Sequence, residues 1–338
     1  MKTVSVVIPC RNEREYISKC LDSFINQTYD KRYYEVLVCD GMSTDGTREI
    51  VKEYVKKYSF IKLINNEGLT APKAMNIGIK NSKADILIIF SAHAFAKEDF
   101  IEQNVKLLDN KEIGCVGGPI ETINNDKKGK AISLAMSSPF GVGNALFRYS
   151  TQERFVDTVP FAAYRREVLD EVGYFDEELV RNQDDEINLR VSKAGYKILL
   201  SLKIKSWYYA RSSYRKLWKQ YFQYGFWKVR VMQKHGKPAS LRHLVPLIFI
   251  LVNILGIIFG LINKIIFYLW FFQALLYLVC DIFFSVRVSK NDRGLIKYVI
   301  PTFPILHIGY GLGFLEGLFV FYILKSKRIM EKNTKLSR

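Results

Sequence analysis

Between Ile187 and Cys280 the chain contains no aspartate and no glutamate. That gap excludes a carboxylate-based site from the stretch and gathers much of the formal net charge of +17 there. Cysteine is sparse as well. Cys10, Cys20, Cys39, Cys115 and Cys280 lack C-x-x-C spacing, so they point to neither a zinc site nor a disulfide framework, and reduced thiols in the cytosol fit best. There is no G-x-G-x-x-G and no G-x-x-x-x-G-K-[ST], which removes the dinucleotide fingerprint and the P-loop. The first residues, MKTVSVVIPC, lack the apolar core and small-residue cleavage site of a signal peptide, so the soluble part is expected to stay where it is made.

What is present is unevenly spread over the 338 residues. Residues 1–205 alternate apolar runs with charged surface, as a soluble domain does. Residues 206–243 read as an amphipathic, basic and aromatic segment: Lys203 to Arg242 carries eleven Lys/Arg interleaved with Trp207, Tyr208, Tyr209, Trp218, Tyr221, Tyr224 and Trp227. Basic and aromatic residues beside apolar runs describe an interface with anionic lipid, with Trp218, Tyr221, Phe222 and Trp227 as expected anchors. The same mixture could stack on single-stranded nucleic acid, but the apolar runs that follow favour lipid. Residues 244–324 are expected to supply two or three transmembrane helices, over 244–262, 265–286 and 299–324, before a basic tail at 325–338. Positive-inside placement of both 287–297 and the tail is incompatible with three full crossings, so either the third segment is re-entrant or the tail breaks the rule. His307 and Glu316 inside that segment should face protein, water or a lipid head group.

Strand-like pieces at 4–9, 34–40, 61–66, 84–90 and 112–120 alternate with helix-like pieces at 13–27, 44–58, 71–82 and 165–173, the second helix starting at Thr44 or Asp45. The alternation predicts an α/β fold with a mostly parallel sheet and helices on both faces. Such sheets bind ligands beyond the carboxyl ends of their strands. Pro9 to Glu13, Asp40, and Ser91-Ala92-His93 all fall at such ends, and Asp184, Asp185 and Glu186 open a later helix whose dipole stabilises carboxylates.

Together VSVVIPCRNE, VCDGMSTDGT, NEGLTAPKAMNIGI and NQDDEINLRVSKAGY resemble, in order and spacing, the inverting family 2 glycosyltransferases of GT-A fold, in particular the succinoglycan-biosynthesis type. The resemblance covers about residues 3 to 230. It implies a membrane-bound enzyme whose catalytic domain faces the cytoplasm, with a nucleotide-diphosphate sugar as donor and a polyprenyl-linked saccharide as acceptor. Pro9, Arg11, Asn12, Glu13, Asp40, Lys73, Asn76 and Ser91 match donor-side positions, and Asp184 matches the catalytic base. Asp185, Glu186, Gln223 and Trp227 fall on the acceptor side. His93 matches the ligand of a Mn²⁺ or Mg²⁺ ion on the diphosphate. Three departures stand out: Ser91 where the subgroup has aspartate, Gln183 where the family usually has glutamate, and Phe226 in place of the arginine of Q-x-x-R-W. The last favours a single sugar transfer over polymer synthesis, and the first two leave a non-catalytic sugar-nucleotide scaffold or sensor as the alternative.

Overall fold

A computed structural model describes residues 1–124, 126–209, 212–236 and 241–334. Arg211 and Lys237 of the basic stretch and residues 335–338 of the tail lie outside the described residues. The chain divides into two compact units, one formed by Met1–Thr122 with Leu146–Tyr209 and the other by Ile123–Ala145 with Ala210–Arg338.

In the first unit β1 (Val4–Cys10), β2 (Tyr34–Asp40), β3 (Ile61–Asn65) and β4 (Ile86–Ile89) are the expected strands, with β1 one residue longer, β2 unchanged, β3 one residue shorter and β4 three residues shorter. With β6 (Ile113–Gly117), β8 (Arg154–Phe155), β9 (Ala163–Arg165) and β10 (Lys197–Leu200) they form one sheet in the order β3-β2-β1-β4-β9-β6-β10-β8. β1 pairs in parallel with both β2 and β4, and β10 with β6, whereas β9 runs antiparallel between β4 and β6. The sheet is therefore mostly parallel, as expected. A second, three-stranded sheet orders β5 (Ala94–Ala96), β11 (Ser206–Tyr209) and β7 (Ile120–Ile123) as β5-β11-β7.

Alternation along β1 sends Val4, Val6 and Ile8 to one face of the large sheet and Val7 to the other. The first face packs against α1 (Ile17–Ile25), α2 (Thr47–Lys57) and α4 (Phe100–Leu107) through Leu21, Phe24, Val51 and Phe100. The second packs against α3 (Ala71–Asn81), α7 (Arg166–Val172) and α8 (Gln183–Lys193) through Ala74, Ile79, Leu169, Ile187 and Val191. α2 is capped one or two residues later than the sequence suggests. Its N-cap is Gly46 at φ 96°, a left-handed conformation suited to glycine, and Asp45 Oδ1 accepts the Thr47 N–H at 3.0 Å.

The second unit collects the helices α5 (Lys127–Met136), α6 (Pro139–Val142), α9 (Tyr214–His235), α10 (Val245–Gly260), α11 (Lys264–Val288), α12 (Ile296–Val299), α13 (Thr302–Leu318) and α14 (Lys327–Lys332). Three helical stretches, Leu241–Gly260, Lys264–Val288 and Arg293–Leu324, are long and apolar enough to cross a membrane. Asn263 caps α11 by accepting the Ile265 N–H at 2.8 Å, which makes the turn between the first two as tight as their spacing suggests. The third is broken at Ile300-Pro301, between α12 and α13.

α13 packs along α9 through small residues. A Cβ on Gly225 would meet the Tyr310 carbonyl oxygen at 2.0 Å, and one on Gly313 the Phe222 carbonyl oxygen at 2.0 Å. The expected row of lipid anchors is corrected: Tyr221 is buried beside this seam, Trp227 is buried against Phe321 beyond α13, and Trp218 is exposed. His307, as expected, faces protein, lying 2.8 Å from the Tyr277 hydroxyl and 2.7 Å from the Phe140 carbonyl oxygen. Glu316 accepts from the Asn333 amide at 3.1 Å.

Gly78 is where α3 presses closest on β1, since a Cβ there would lie 2.3 Å from Val7 Cγ1 and 3.1 Å from Cys39 Sγ. Gly78→Ala is expected to destabilise the first unit by about 1–3 kcal/mol, the usual cost of overpacking. Thermal unfolding of the variant and the parent checks it.

Candidate active site

Parallel pairing fixes where three polar clusters end. Cys10 is in register with Asp40 and Val7 with Ile89, so the residues after β1, β2 and β4 emerge at the same edge of the sheet. α8 runs into β10 through the turn at Ala194–Tyr196, and β10 is parallel to β6, so the first turn of α8 returns to that same edge. Asp184 is exposed there. Its charge is felt inside the sheet: burial first, then neighbouring Cys115 and Asp184, push the buried Tyr164 phenol on β9 well above its usual value.

The loops after β1 and β2 are laced together. Asn12, at φ 54°, donates its N–H to Ser43 Oγ at 2.8 Å and accepts the Thr44 N–H at 2.9 Å. Glu13 N–H donates to Thr47 Oγ1 at 2.9 Å. Arg11 projects from this loop, exposed, with its stem against Gly41, and Pro9 lies half-buried in β1. Lys73 is half-buried in the first turn of α3.

Asp40 is a correction. It was expected to accept hydrogen bonds from a base or ribose, but it is fully buried. Its carboxylate accepts the Ser43 N–H at 3.0 Å, the Ser43 hydroxyl, and Arg48 Nη1 at 2.6 Å. Arg48 in turn donates to Asn65 Oδ1 at 2.7 Å. Arg48 is the residue that sequence reasoning missed. The signal was a lone arginine in the first turn of α2, one turn beyond a strand-terminal aspartate.

Asn76 is a second correction. Its amide nitrogen donates to the Phe175 carbonyl at 2.8 Å and to Glu177 at 2.9 Å, and its oxygen accepts the Phe175 N–H at 3.0 Å. Both ends of the amide hold the loop leading towards α8. Glu186 is a third: buried and ion-paired to Arg190 at 2.7 Å, it steadies a guanidinium that also holds the carbonyls of Val172, Gly173 and Tyr174. The placement of Asp185, half-buried beside Asp184, leaves it at the edge. Gln223 and Trp227 belong to the second unit, where both side chains donate to the Asn333 carbonyl, at 3.0 and 3.2 Å. That explains their burial without an acceptor.

Ser91 and His93 lie as expected just beyond β4. Ser91 Oγ is 3.0 Å from His93 Nδ1 and 3.1 Å from Nε2, and Glu13 Oε1 is 3.1 Å from Nδ1. The Tyr208 ring meets the imidazole edge-on with centroids 5.0 Å apart. Among the described residues no three His, Cys, Asp or Glu side chains gather as a metal-binding group. A divalent cation fits this donor set only as an ion shared with a ligand, because one imidazole and a nearby carboxylate suit Mn²⁺ or Mg²⁺ when phosphate oxygens complete the shell.

The glycosyl transferase family 2 model matches residues 5–173. The chain belongs to that family. It is 33% identical over 327 residues, covering 94% of this chain and 98% of the relative, to a dolichyl N-acetyl-alpha-D-glucosaminyl phosphate 3-beta-D-2,3-diacetamido-2,3-dideoxy-beta-D-glucuronosyltransferase of Methanococcus voltae. It is 29% identical to the succinoglycan biosynthesis protein ExoA of Rhizobium meliloti, over 72% of this chain and 74% of that protein. A mannosyltransferase of Pyrobaculum calidifontis, solved with GDP-Man and Mn²⁺, shares the fold at a TM-score of 0.65 and 17% identity, covering 94% of this chain and 87% of that one. The first unit of this glycosyltransferase thus has the expected GT-A fold, and the reading of a non-catalytic scaffold gives way to a transferase.

Asn76→Ala should loosen the 174–182 loop. Limited proteolysis is expected to cut this glycosyltransferase faster within it while nucleotide affinity holds; lost nucleotide affinity with the loop still protected would return Asn76 to the donor side.

Proposed function

We propose that this glycosyltransferase moves one sugar, with inversion, from a nucleotide-diphosphate donor to a lipid-linked saccharide at the cytoplasmic face of the membrane. The observation that carries the reading is the common edge at which the ends of β1, β2 and β4 meet the first turn of α8. A donor diphosphate held at this edge would lie on the same side of the sheet as the exposed carboxylate of Asp184.

In this reading the acceptor hydroxyl attacks the anomeric carbon as its bond to the diphosphate oxygen breaks, and Asp184 takes the hydroxyl proton. The helix start favours the ionised carboxylate that this requires. Arg11 and Lys73 would meet the leaving diphosphate, whose growing negative charge needs fixed positive partners. His93 would hold Mn²⁺ or Mg²⁺, with Glu13 behind it; a bound cation supplies Lewis-acid stabilisation to the departing phosphate.

The lipid-linked acceptor rests on the three apolar helices, the acid-free basic stretch, and the dolichyl and succinoglycan names of the two relatives. Anionic lipid is the expected surface for that stretch.

Membranes containing the full chain, supplied with a panel of sugar nucleotides with and without Mn²⁺ or Mg²⁺, test the proposal. Asp184→Asn is expected to lower transfer by about 10²–10⁴-fold, the usual worth of a positioned base, while donor binding persists. Transfer at the parental rate would remove Asp184 from its role.

A further inference from the structure

Ser91 leaves the strand end without the carboxylate that the family resemblance implies two residues before the imidazole, yet a carboxylate stands there in space. It comes from the loop that follows the neighbouring strand, β1. Glu13 is buried, and its Oε1 lies 3.1 Å from His93 Nδ1. Its backbone is fixed on both sides, with the N–H on Thr47 Oγ1 at 2.9 Å and the carbonyl accepting the Tyr16 and Ile17 N–H groups at 2.9 Å each at the start of α1. The His93 backbone is held too, its carbonyl accepting the Tyr209 N–H at 3.1 Å. The contact is therefore set by the pairing of β1 with β4.

Ser91 cannot select the tautomer of His93. Its hydroxyl is nearly equidistant from the two ring nitrogens, at 3.0 and 3.1 Å, so it favours neither. Glu13 breaks that symmetry because it meets Nδ1. A carboxylate accepting the Nδ1–H fixes the ring, raises its basicity and makes Nε2 the coordinating nitrogen, the arrangement by which metal-binding histidines are usually oriented.

We propose that Glu13 is the positioning carboxylate of His93, holding the imidazole as its Nδ1–H form and supplying the negative charge that Ser91 lacks, so that Nε2 binds a divalent cation on the donor diphosphate. This rests on the donor-site reading above and moves Glu13 from nucleotide contact to metal affinity. Charge lost at position 91 is restored from position 13.

The test is Mn²⁺ affinity of the full chain in detergent, read by electron paramagnetic resonance of free Mn²⁺ with UDP or GDP present. His93→Ala should abolish the bound ion. Glu13→Gln, which keeps size and removes charge, should weaken Mn²⁺ binding about 10–100-fold, the usual effect of losing such a partner. Adding Ser91→Asp to Glu13→Gln should recover most of that loss, an outcome that a merely structural role for Glu13 would not produce. Should Glu13→Gln fail to fold, Glu13→Asp, which withdraws the charge by one methylene, is expected to show a smaller loss with the same rescue. Parental Mn²⁺ affinity in the Glu13 variants or in His93→Ala, or a loss that Ser91→Asp leaves unchanged, overturns the inference. Sugar transfer by the parent, assayed alongside, separates the two readings: turnover with Glu13-independent Mn²⁺ binding removes this inference alone, whereas absence of turnover with every donor removes the proposed function and leaves the metal titration to judge Glu13.

Discussion

The register of β1 against β2 and β4 is the constraint on which the site depends. A slip of one residue would turn Val4, Val6 and Ile8 away from α1 and α4 and send Val7 to the wrong layer, exchanging two buried faces at once. Burial of the strands on both sides thus makes the register costly to change. Because Cys10 is held opposite Asp40 and Val7 opposite Ile89, the loops that follow have no choice of edge. Side chains distant in sequence, such as Glu13 and His93, meet as a consequence of hydrophobic packing several residues below them.

Charge at this edge is sorted by burial. Two of the carboxylates that the fold encloses are paired with arginines, Asp40 with Arg48 and Glu186 with Arg190, as a low-dielectric setting demands. Those pairs act on backbone: the first holds the turn after β2, and the second holds the carbonyls of residues 172–174. Asp184, the proposed base, is left exposed on the first turn of α8, where an acceptor could reach it. Glu186 and the proposed base Asp184 stand two residues apart, and their exposure distinguishes them.

The sheet was largely legible because its strands are short β-branched runs ending in polar residues, with helices of clear amphipathic spacing between them. β2 runs over the same residues that the pattern suggests. Residues 121–160 were not legible. Their helices α5 and α6 join the second unit, where Ala131, Ile132 and Ala135 pack with Val299 and Phe303, a partnership more than 160 residues away in sequence that no local period reveals. In the site, the positions of Ser91, His93 and Asp184 could be read from strand and helix ends. The roles of Asp40, Asn76 and Glu186 could not, since a pattern of residue types does not show that Arg48, the Phe175 backbone or Arg190 already holds the polar group. Trp227 misled for a related reason: aromatic and basic residues mark a lipid interface only when they face outward, and this one turns inward onto Phe321 and the Asn333 carbonyl.

Hydrogen–deuterium exchange of the full chain in detergent, with and without Mn²⁺ and the nucleotide sugar it turns over, tests most directly that the strand ends form a single donor crevice. Slowed exchange is predicted together in residues 11–14, 41–47, 67–73 and 91–94. Saturating donor that leaves those four segments unchanged, or protects only the second unit, would contradict the account.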